Sequence, residues 1–332
     1  MAFTTTAGYG NLPSGNFTPS IFSQKVLKFF RRASVVEDIT NTDYAGEIEN
    51  YGDTVNIIKE PTITVSSYTR GAVVSPQDLA DDQTTLVVDQ ANAFAFKIDD
   101  IEERQSHINW EALSTSSGAY SLKRSYDANV LDLMATNAGL TSESGAPTTQ
   151  VSGLGTLGSA IDIAHTGSLF GTTVPGDKAV SLMMLMTRAL DDESIPEENR
   201  WFIAPPQFYE ILFRAAGKLV EVQVTGDQTS PLRNGLVSIG SVAGFKCYKT
   251  TALNSSGGTD QVTITGLATD GTEHCVMAGH ISSTATASHI AKTEVVRSTE
   301  SFSDVVRGLH VFGRKVLRPE AICRSVVSLD LA

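Results

Sequence analysis

Residues 195–212 read Ile-Pro-Glu-Glu-Asn-Arg-Trp-Phe-Ile-Ala-Pro-Pro-Gln-Phe-Tyr-Glu-Ile-Leu. The short apolar run Trp201–Ala204 is typical of a buried strand. Two prolines separate it from Gln207–Arg214, whose pattern favours a helix. A second helix is predicted upstream at Asp177–Leu190, after a Gly/Ser/Thr-rich loop at Thr141–Ser159. This stretch therefore predicts a mixed α+β unit.

The downstream sequence favours strands. From Val220 onward, short apolar segments alternate with glycine-rich turns. Glu294–Val306 and His310–Leu317 are predicted to form a closing pair of strands, followed by a strand at Ser325–Leu331.

A long helix is predicted from Asp99 toward Asn137, with four acidic residues at its start, where negative charge is favourable. Ser114–Gly118 weakens the helix, so a bend or a division into two helices is expected there. The apolar residues fall mostly three, four or seven apart and predict one buried stripe. They are Ile101, Ile108, Ala112, Ala119, Tyr126, Val130 and Leu133.

Period-two alternation between Gly46 and Ile98 indicates half-buried strands. It involves Val55, Ile57, Ile63, Val65, Phe94, Phe96 and Ile98. Ser66–Gln83 suits the far end of a long hairpin, with Arg70 as its only basic residue and Asp81 and Asp82 on the return. A two-stranded ribbon is marginal alone, so a neighbouring molecule is expected to cover the tip.

The first 18 residues have little to bury and are predicted to form an extended arm. A short helix is expected after Pro19, ending at Arg31 and Arg32. Its Phe22, Phe29 and Phe30 need a partner surface to cover them.

The bulk composition excludes few functions. The 332 residues carry a formal net charge of -12, and no Lys/Arg cluster marks a site for nucleic-acid backbones. The three cysteines are widely spaced and are interpreted as buried thiols. Neither a secretory signal nor an apolar helix of about 20 residues is found, so we expect a soluble protein made inside the cell.

The search for catalytic motifs returns one weak match. Gly153–Gly158 fits G-x-G-x-x-G, but a dinucleotide site needs a strand before the glycines and a helix after them, whereas loop residues precede them here. The six histidines and three cysteines form no zinc-binding spacing. We therefore expect no enzyme activity, cofactor or metal.

Several strings resemble those of tailed-bacteriophage major capsid proteins with the Hong Kong 97-type fold. The most specific is Ile195–Leu212, which is similar to the strand and helix of that family's axial domain. The remaining strings occur in family order across the chain: Asn41–Ile48, Gly52–Ile57, Tyr126–Asp127, Val130–Leu131, Asn234–Gly235, Gly240, Gly244–Tyr248, Phe302–Asp304, Gly308–Leu309, Gly313–Val316 and Arg318–Glu320.

The resemblance implies four structural parts. They are an N-terminal arm (1–40), an extended hairpin loop with its base (41–98), a peripheral domain with a long spine helix and the closing strands (99–140 and 281–317), and an axial domain (141–280 and 318–332). Inter-subunit contacts are expected at Phe22, Phe29, Phe30, Arg70, Asp81, Asp82, Arg297 and Asp304.

The function implied is self-assembly into the icosahedral shell that encloses the double-stranded DNA of a tailed phage. The subunit would assemble with other copies of itself into pentamers and hexamers. Further partners would be a separate scaffolding protein, a portal, DNA held without sequence-specific contacts and, in some shells, a decoration protein. No membrane contact is expected. The chain would assemble in the host cytoplasm and reside in the virion capsid. The alternatives are an encapsulin-type nanocompartment shell with the same fold and, more remotely, a soluble nucleotide-binding enzyme that uses Gly153–Gly158.

Overall fold

The computed structural model describes residues 34–44, 54–58, 60–61, 63–71, 73, 76–78, 83–105, 110–143, 149–164, 169, 172, 174–214, 241–253, 264–267, 273–299 and 301–329. Among these residues the α-helices are α1 Val36–Ile39, α2 Asp100–Gln105, α3 Trp110–Thr136, α4 Pro175–Asp192 and α5 Pro206–Arg214. The strands are β1 Thr54–Ile58, β2 Gln83–Val87, β3 Gln90–Asp99, β4 Leu140–Thr141, β5 Thr149–Gln150, β6 Ile161–Asp162, β7 Arg200–Ala204, β8 Ser241–Val242, β9 Phe245–Lys249, β10 Glu273–His280, β11 Thr284–Arg297, β12 Ser303–Val316 and β13 Ile322–Ser328. None of the described helices is long and apolar enough to cross a membrane.

The larger sheet is covered on both faces. Its order is β5-β4-β13-β10-β7-β9-β8, and β6 also pairs with β13. Phe202 and Ala204 pack with α4 and α5 on one face, whereas Trp201 and Ile203 pack with α1 and the end of α3 on the other. Strands buried on both faces have nearly continuous apolar sequences, as Trp201–Ala204 does. The predicted strand and both predicted helices beside it are confirmed, within two residues at each end.

The smaller sheet is antiparallel, in the order β11-β12-β3. Its connecting turn lies at residues 298–302, so the predicted connection between Val306 and His310 is wrong. Gly308 suggested a turn, but it pairs with Phe94 in the middle of β12. A Cβ on Gly308 would lie 2.3 Å from the Phe94 ring, so this glycine makes room for an aromatic side chain.

Helix α3 packs on this sheet and is continuous through Ser114–Gly118, so a division into two helices at this point is wrong. Gly118 lies against the other side of the Phe94 ring. A Cβ on Gly118 would lie 2.7 Å from the nearest atom of that ring. Tyr126 and Val130 are buried as predicted. Ala112 and Ala119 are exposed, so the predicted buried stripe is correct only for the second half of the helix.

A two-stranded hairpin, β1 with β2, packs against the opposite face of the smaller sheet. Leu86 and Val88 are buried with Ala285 and Ala287 at its base. Ile63 and Val65 were expected in a strand, yet both are exposed and belong to no strand. Their alternation resembles that of a strand, but within one chain no described strand pairs with them. The predicted strand through Phe94, Phe96 and Ile98 is confirmed as β3, which pairs with β12.

Candidate assembly interfaces

The hairpin extends beyond β1 and β2 as two arms, and their described residues belong to no helix or strand. Thr64 on the outgoing arm donates hydrogen bonds from its backbone N–H (3.0 Å) and its hydroxyl (2.8 Å) to Oε1 of Gln77 on the returning arm. Arg70 and Gly71 form the turn at the far end, and Gly71 has a φ of 88°, a value that glycine adopts most easily. Arg70 is exposed there, in the position that the sequence predicted for it. The return residues Asp81 and Asp82 lie outside the described residues.

Large apolar side chains on this hairpin face solvent. Ile58 is 84% exposed, Val65 is 96% exposed, and Ile63 and Tyr68 are also exposed. They lie on a segment that has no core of its own, and such a patch on an extended arm marks an interaction surface. The hairpin is therefore the most extended candidate interface of the described chain.

A second candidate interface lies at the far end of the smaller sheet. Arg297 Nη1 contacts Asp100 Oδ1 at 2.7 Å and Asp304 Oδ1 at 3.0 Å, and a second guanidinium nitrogen also bonds Asp100. The Arg297 hydrogen bond lowers the pKa of the Asp100 carboxyl. Arg297 and Asp304, both predicted to contact a neighbour, are thus paired with each other within one chain. Their contact with a second copy remains a prediction.

A groove of about 420 Å³ runs between α3, α1 and the smaller sheet. Phe94, Leu122 and Tyr126 supply apolar lining, and His310 lines the sheet side. His310 Nε2 lies 2.7 Å from Ser288 Oγ, and burial lowers the pKa of the histidine.

The described chain begins beside this groove. Ser34 Oγ donates a 2.6 Å hydrogen bond to Asp127, and Lys123 forms a 3.0 Å ion pair with Glu37. These contacts fix α1 on α3. The predicted helix that carries Phe22, Phe29 and Phe30 lies outside the described residues, so its proposed contacts remain a prediction.

The glycine motif Gly153–Gly158 has a packing role. A Cβ on Gly155 would lie 1.8 Å from the carbonyl oxygen of Val326, so only glycine fits against β13 at this point. The Leu157 N–H donates to Glu143, which also pairs with Arg324 on β13. Within residues 149–164 no helix follows the motif, so these residues do not form the strand–turn–helix that holds a pyrophosphate.

Arg324 is a buried cation that sequence reasoning missed. Its side chain is 2% exposed and donates to the Ala135 carbonyl oxygen at 2.7 Å as well as to Glu143. It thereby joins the end of α3 to β13 and to the residues after β4. No signal in the sequence indicated this role, because Arg324 lies just before the predicted strand Ser325–Leu331 and a charged residue is not expected at a buried position.

The cysteines are free thiols. Cys275 and Cys323 are buried as predicted, whereas Cys247 is partly exposed, so the prediction of three buried thiols is wrong for Cys247. Burial raises the pKa of Cys275 to about 12, which keeps it protonated. In the part of the chain that the structure describes, no three His, Cys, Asp or Glu side chains are grouped to hold a metal ion.

Comparison with solved structures identifies the fold. The chain superimposes on a structure from Mycobacterium phage Che8 with a TM-score of 0.70 and 24% identity, covering 93% of this chain and 97% of that one. The capsid of Cyanophage P-SCSP1u gives 0.65 and 19%, over 93% and 92% of the two chains. The mature capsid of bacteriophage PhiM1 gives 0.66 and 15%, over 94% and 91%. The Hong Kong 97-type fold expected from the sequence is therefore confirmed.

Sequence comparison identifies the family. None of the curated proteins matches the chain. A family model described as phage capsid protein matches residues 59–325, which include the hairpin arms, the smaller sheet, most of the larger sheet and all but one of the described α-helices. Because this match spans most of the chain, the protein belongs to the phage capsid protein family.

Proposed function

We propose that this major capsid protein builds an icosahedral shell around double-stranded DNA through contacts of its arm, its hairpin and its peripheral domain. The observation that carries the proposal is the hairpin, whose Ile63, Val65 and Tyr68 are exposed in the single chain. Exposed apolar side chains on an arm without a core are stabilised when a neighbouring subunit covers them. A shell repeats this contact at every subunit, so a small loss per contact has a large total effect.

The proposed division of labour follows the four parts of the chain. Residues 1–40 act as an arm and 41–98 as the reaching hairpin with its base, while 99–140 with 281–317 form the peripheral domain and 141–280 with 318–332 the axial domain. The contacts of helix α3 support this layout, because it packs on both sheets. Helix α3 contacts β12 and β3 in the smaller sheet, and its second half packs on the larger sheet.

The same proposal includes partners beyond the subunit itself. A separate scaffolding protein and a portal would direct closure of the shell in the host cytoplasm, and a decoration protein would bind the finished surface of some shells. The formal net charge of -12 favours contact with packaged DNA that is weak and independent of sequence. The subunit acts as a structural protein rather than as an enzyme.

The test is assembly of the expressed chain, followed by electron microscopy and density-gradient sedimentation. We expect closed particles from the full chain, and a folded but unassembled subunit after deletion of residues 1–30. Arg70→Glu should reduce particle yield while the Tm of the unassembled subunit stays unchanged, because an exposed charge contributes only about 0–1 kcal/mol to a lone chain.

Arg188→Glu is the control for net charge, since Arg188 is exposed on α4 and its reversal changes net charge equally. Its ion pair with Asp192 is exposed and 3.9 Å long, so loss of that pair costs little. Equal loss of particles from both variants would assign the effect to net charge and contradict a contact at the hairpin tip. Particles produced during infection should release DNA. Release of a protein cargo instead would favour the nanocompartment alternative.

A further inference from the structure

The turn between β11 and β12 presents an aromatic side chain to solvent. Phe302 is 82% exposed. The other phenylalanines whose side chains the structure describes are buried or half-buried. A lone exposed apolar residue is common on protein surfaces, so the surroundings of Phe302 decide whether it is significant.

The backbone on each side of Phe302 is held in place. The Ser298 N–H donates to the Ser303 carbonyl oxygen and the Ser303 N–H to that of Ser301, both at 2.9 Å. The carbonyl oxygen of Phe302 itself accepts a 3.2 Å hydrogen bond from the Asp100 N–H. The hydroxyls of Ser301 and Ser303 lie 2.8 Å apart. The turn is therefore tied both to itself and to the start of α2.

The ion cluster beside the turn adds a second restraint. Arg297 ends β11, Asp304 lies near the start of β12 and Asp100 begins α2, so the guanidinium joins all three elements that meet at this end of the sheet. The cation is already matched by two carboxylates. What this end of the sheet offers a partner is therefore apolar contact.

Two further exposed apolar residues lie on the elements that meet at this end of the sheet. Ile101, the residue after Asp100, is 64% exposed, and Val295 near the end of β11 is 51% exposed. A rigidly presented aromatic residue loses little conformational freedom on binding, and such residues are the ones that dominate binding free energy at protein interfaces.

We propose that Phe302 anchors each subunit to an apolar surface of a second copy of this chain. The proposal rests on the proposed shell function, because a shell subunit is bounded mainly by copies of itself. Within one chain the other end of the sheet is already covered by the base of the hairpin and by Asn41, which bonds both Thr284 and Thr286. The Phe302 end is the free end of the described sheet. Arg297 and Asp304 then position this anchor through their bonds to each other and to Asp100.

The test places a photoreactive p-benzoyl-phenylalanine at position 302 and irradiates purified particles. We expect a covalent product of twice the subunit mass in which both peptides come from this chain, and no such product from the unassembled subunit at equal concentration. The same probe at Met184, an exposed apolar residue on α4, controls for random collision.

A second measurement compares Phe302→Ala with Phe302→Leu. We expect Ala to raise the subunit concentration needed for assembly about tenfold, as loss of an interface anchor does. Leu should restore part of the effect, and the Tm of the unassembled subunit should not change in either variant. Particles that form normally with Phe302→Ala, or that cross-link from position 302 no more than from Met184, would overturn the inference while leaving the shell function intact. Failure of the unaltered chain to form particles would instead contradict the shell function itself.

Discussion

The replacement Gly118→Ala tests the packing of α3 on the smaller sheet. In an isolated helix this change is stabilising by about 1 kcal/mol, because glycine loses more backbone entropy than alanine. In this structure the new Cβ would lie 2.7, 2.8 and 2.9 Å from three atoms of the Phe94 ring. Carbon atoms prefer separations of about 3.5–4.0 Å, so the ring would have to retreat by about 1 Å.

Retreat of the ring is blocked on its other side. A Cβ on Gly308 would lie 2.3 Å from the same ring, so the ring already rests on the backbone of β12, and Phe96 stacks beside it with 6.1 Å between ring centroids. Overpacking of this kind costs about 1–3 kcal/mol. The cost exceeds the gain in helix propensity, and we expect Gly118→Ala to destabilise the unassembled subunit by about 1 kcal/mol.

The sign should reverse when the ring is removed. In a Phe94→Ala background, Gly118→Ala should stabilise the subunit by about 1 kcal/mol, since only the helix propensity remains. The assay is denaturant unfolding of the four proteins of this cycle, with the midpoint compared at constant m value. Ser117→Ala, at an exposed neighbouring position, reports the propensity effect alone. If Gly118→Ala is already stabilising with Phe94 present, the Phe94 ring is not packed tightly between α3 and β12.

Three further outcomes are expected. Cys247 should react rapidly with a thiol reagent in the native subunit, whereas Cys275, which is buried with a raised pKa, should react only on unfolding. Rapid labelling of a second thiol in the native subunit would contradict the burial of Cys275 and Cys323. Glu143→Ala should destabilise the subunit by about 1–2 kcal/mol, because it removes one hydrogen-bond acceptor from the buried Arg324 at a site where Glu143 itself is partly exposed to water. The double change Glu143→Gln with Arg324→Met should cost less in the same unfolding assay. Burial lowers the pKa of His310, so below about pH 6.5 the unfolded chain binds more protons than the folded chain, and the free energy of unfolding should fall as the pH drops through that value. His310→Gln should reduce this dependence of the unfolding free energy on pH. An unchanged pH dependence would show that the histidine is not buried against the groove.

The elements that could be predicted from sequence are those whose residues reveal their surroundings locally. Trp201–Ala204 is apolar at every position because both faces of β7 are covered, and the adjacent prolines mark where the helix α5 begins. The alternation of Phe94, Phe96 and Ile98 revealed β3 because only one face of that strand is covered. The resemblance then supplied the arrangement of these elements, which no local pattern contains.

The failures share a physical cause, which is that the deciding partner is distant in sequence. Gly118 was interpreted as a helix breaker and Gly308 as part of a turn, but both make room for Phe94. Ile63 and Val65 have the pattern of a strand, but no strand among the described residues pairs with them. The contacts of Arg297 and Asp304 with a second copy remain a prediction, and the sequence analysis did not single out Phe302, which lies between them and is 82% exposed.

The position of β13 in the larger sheet has a consequence for the timing of synthesis. β13 lies between β4 and β10, and 170 residues separate Gly155 from Ser325, to whose hydroxyl its N–H donates. At about 5–20 residues per second, a ribosome needs roughly 10–30 s to span that interval. During that time β4 can pair with β5 but not with β13, and the glycine loop has no β13 to pack against. The nascent chain therefore cannot complete the sheet on which α4 and α5 pack until β13 has emerged. Unfinished subunits are thereby kept from docking with one another.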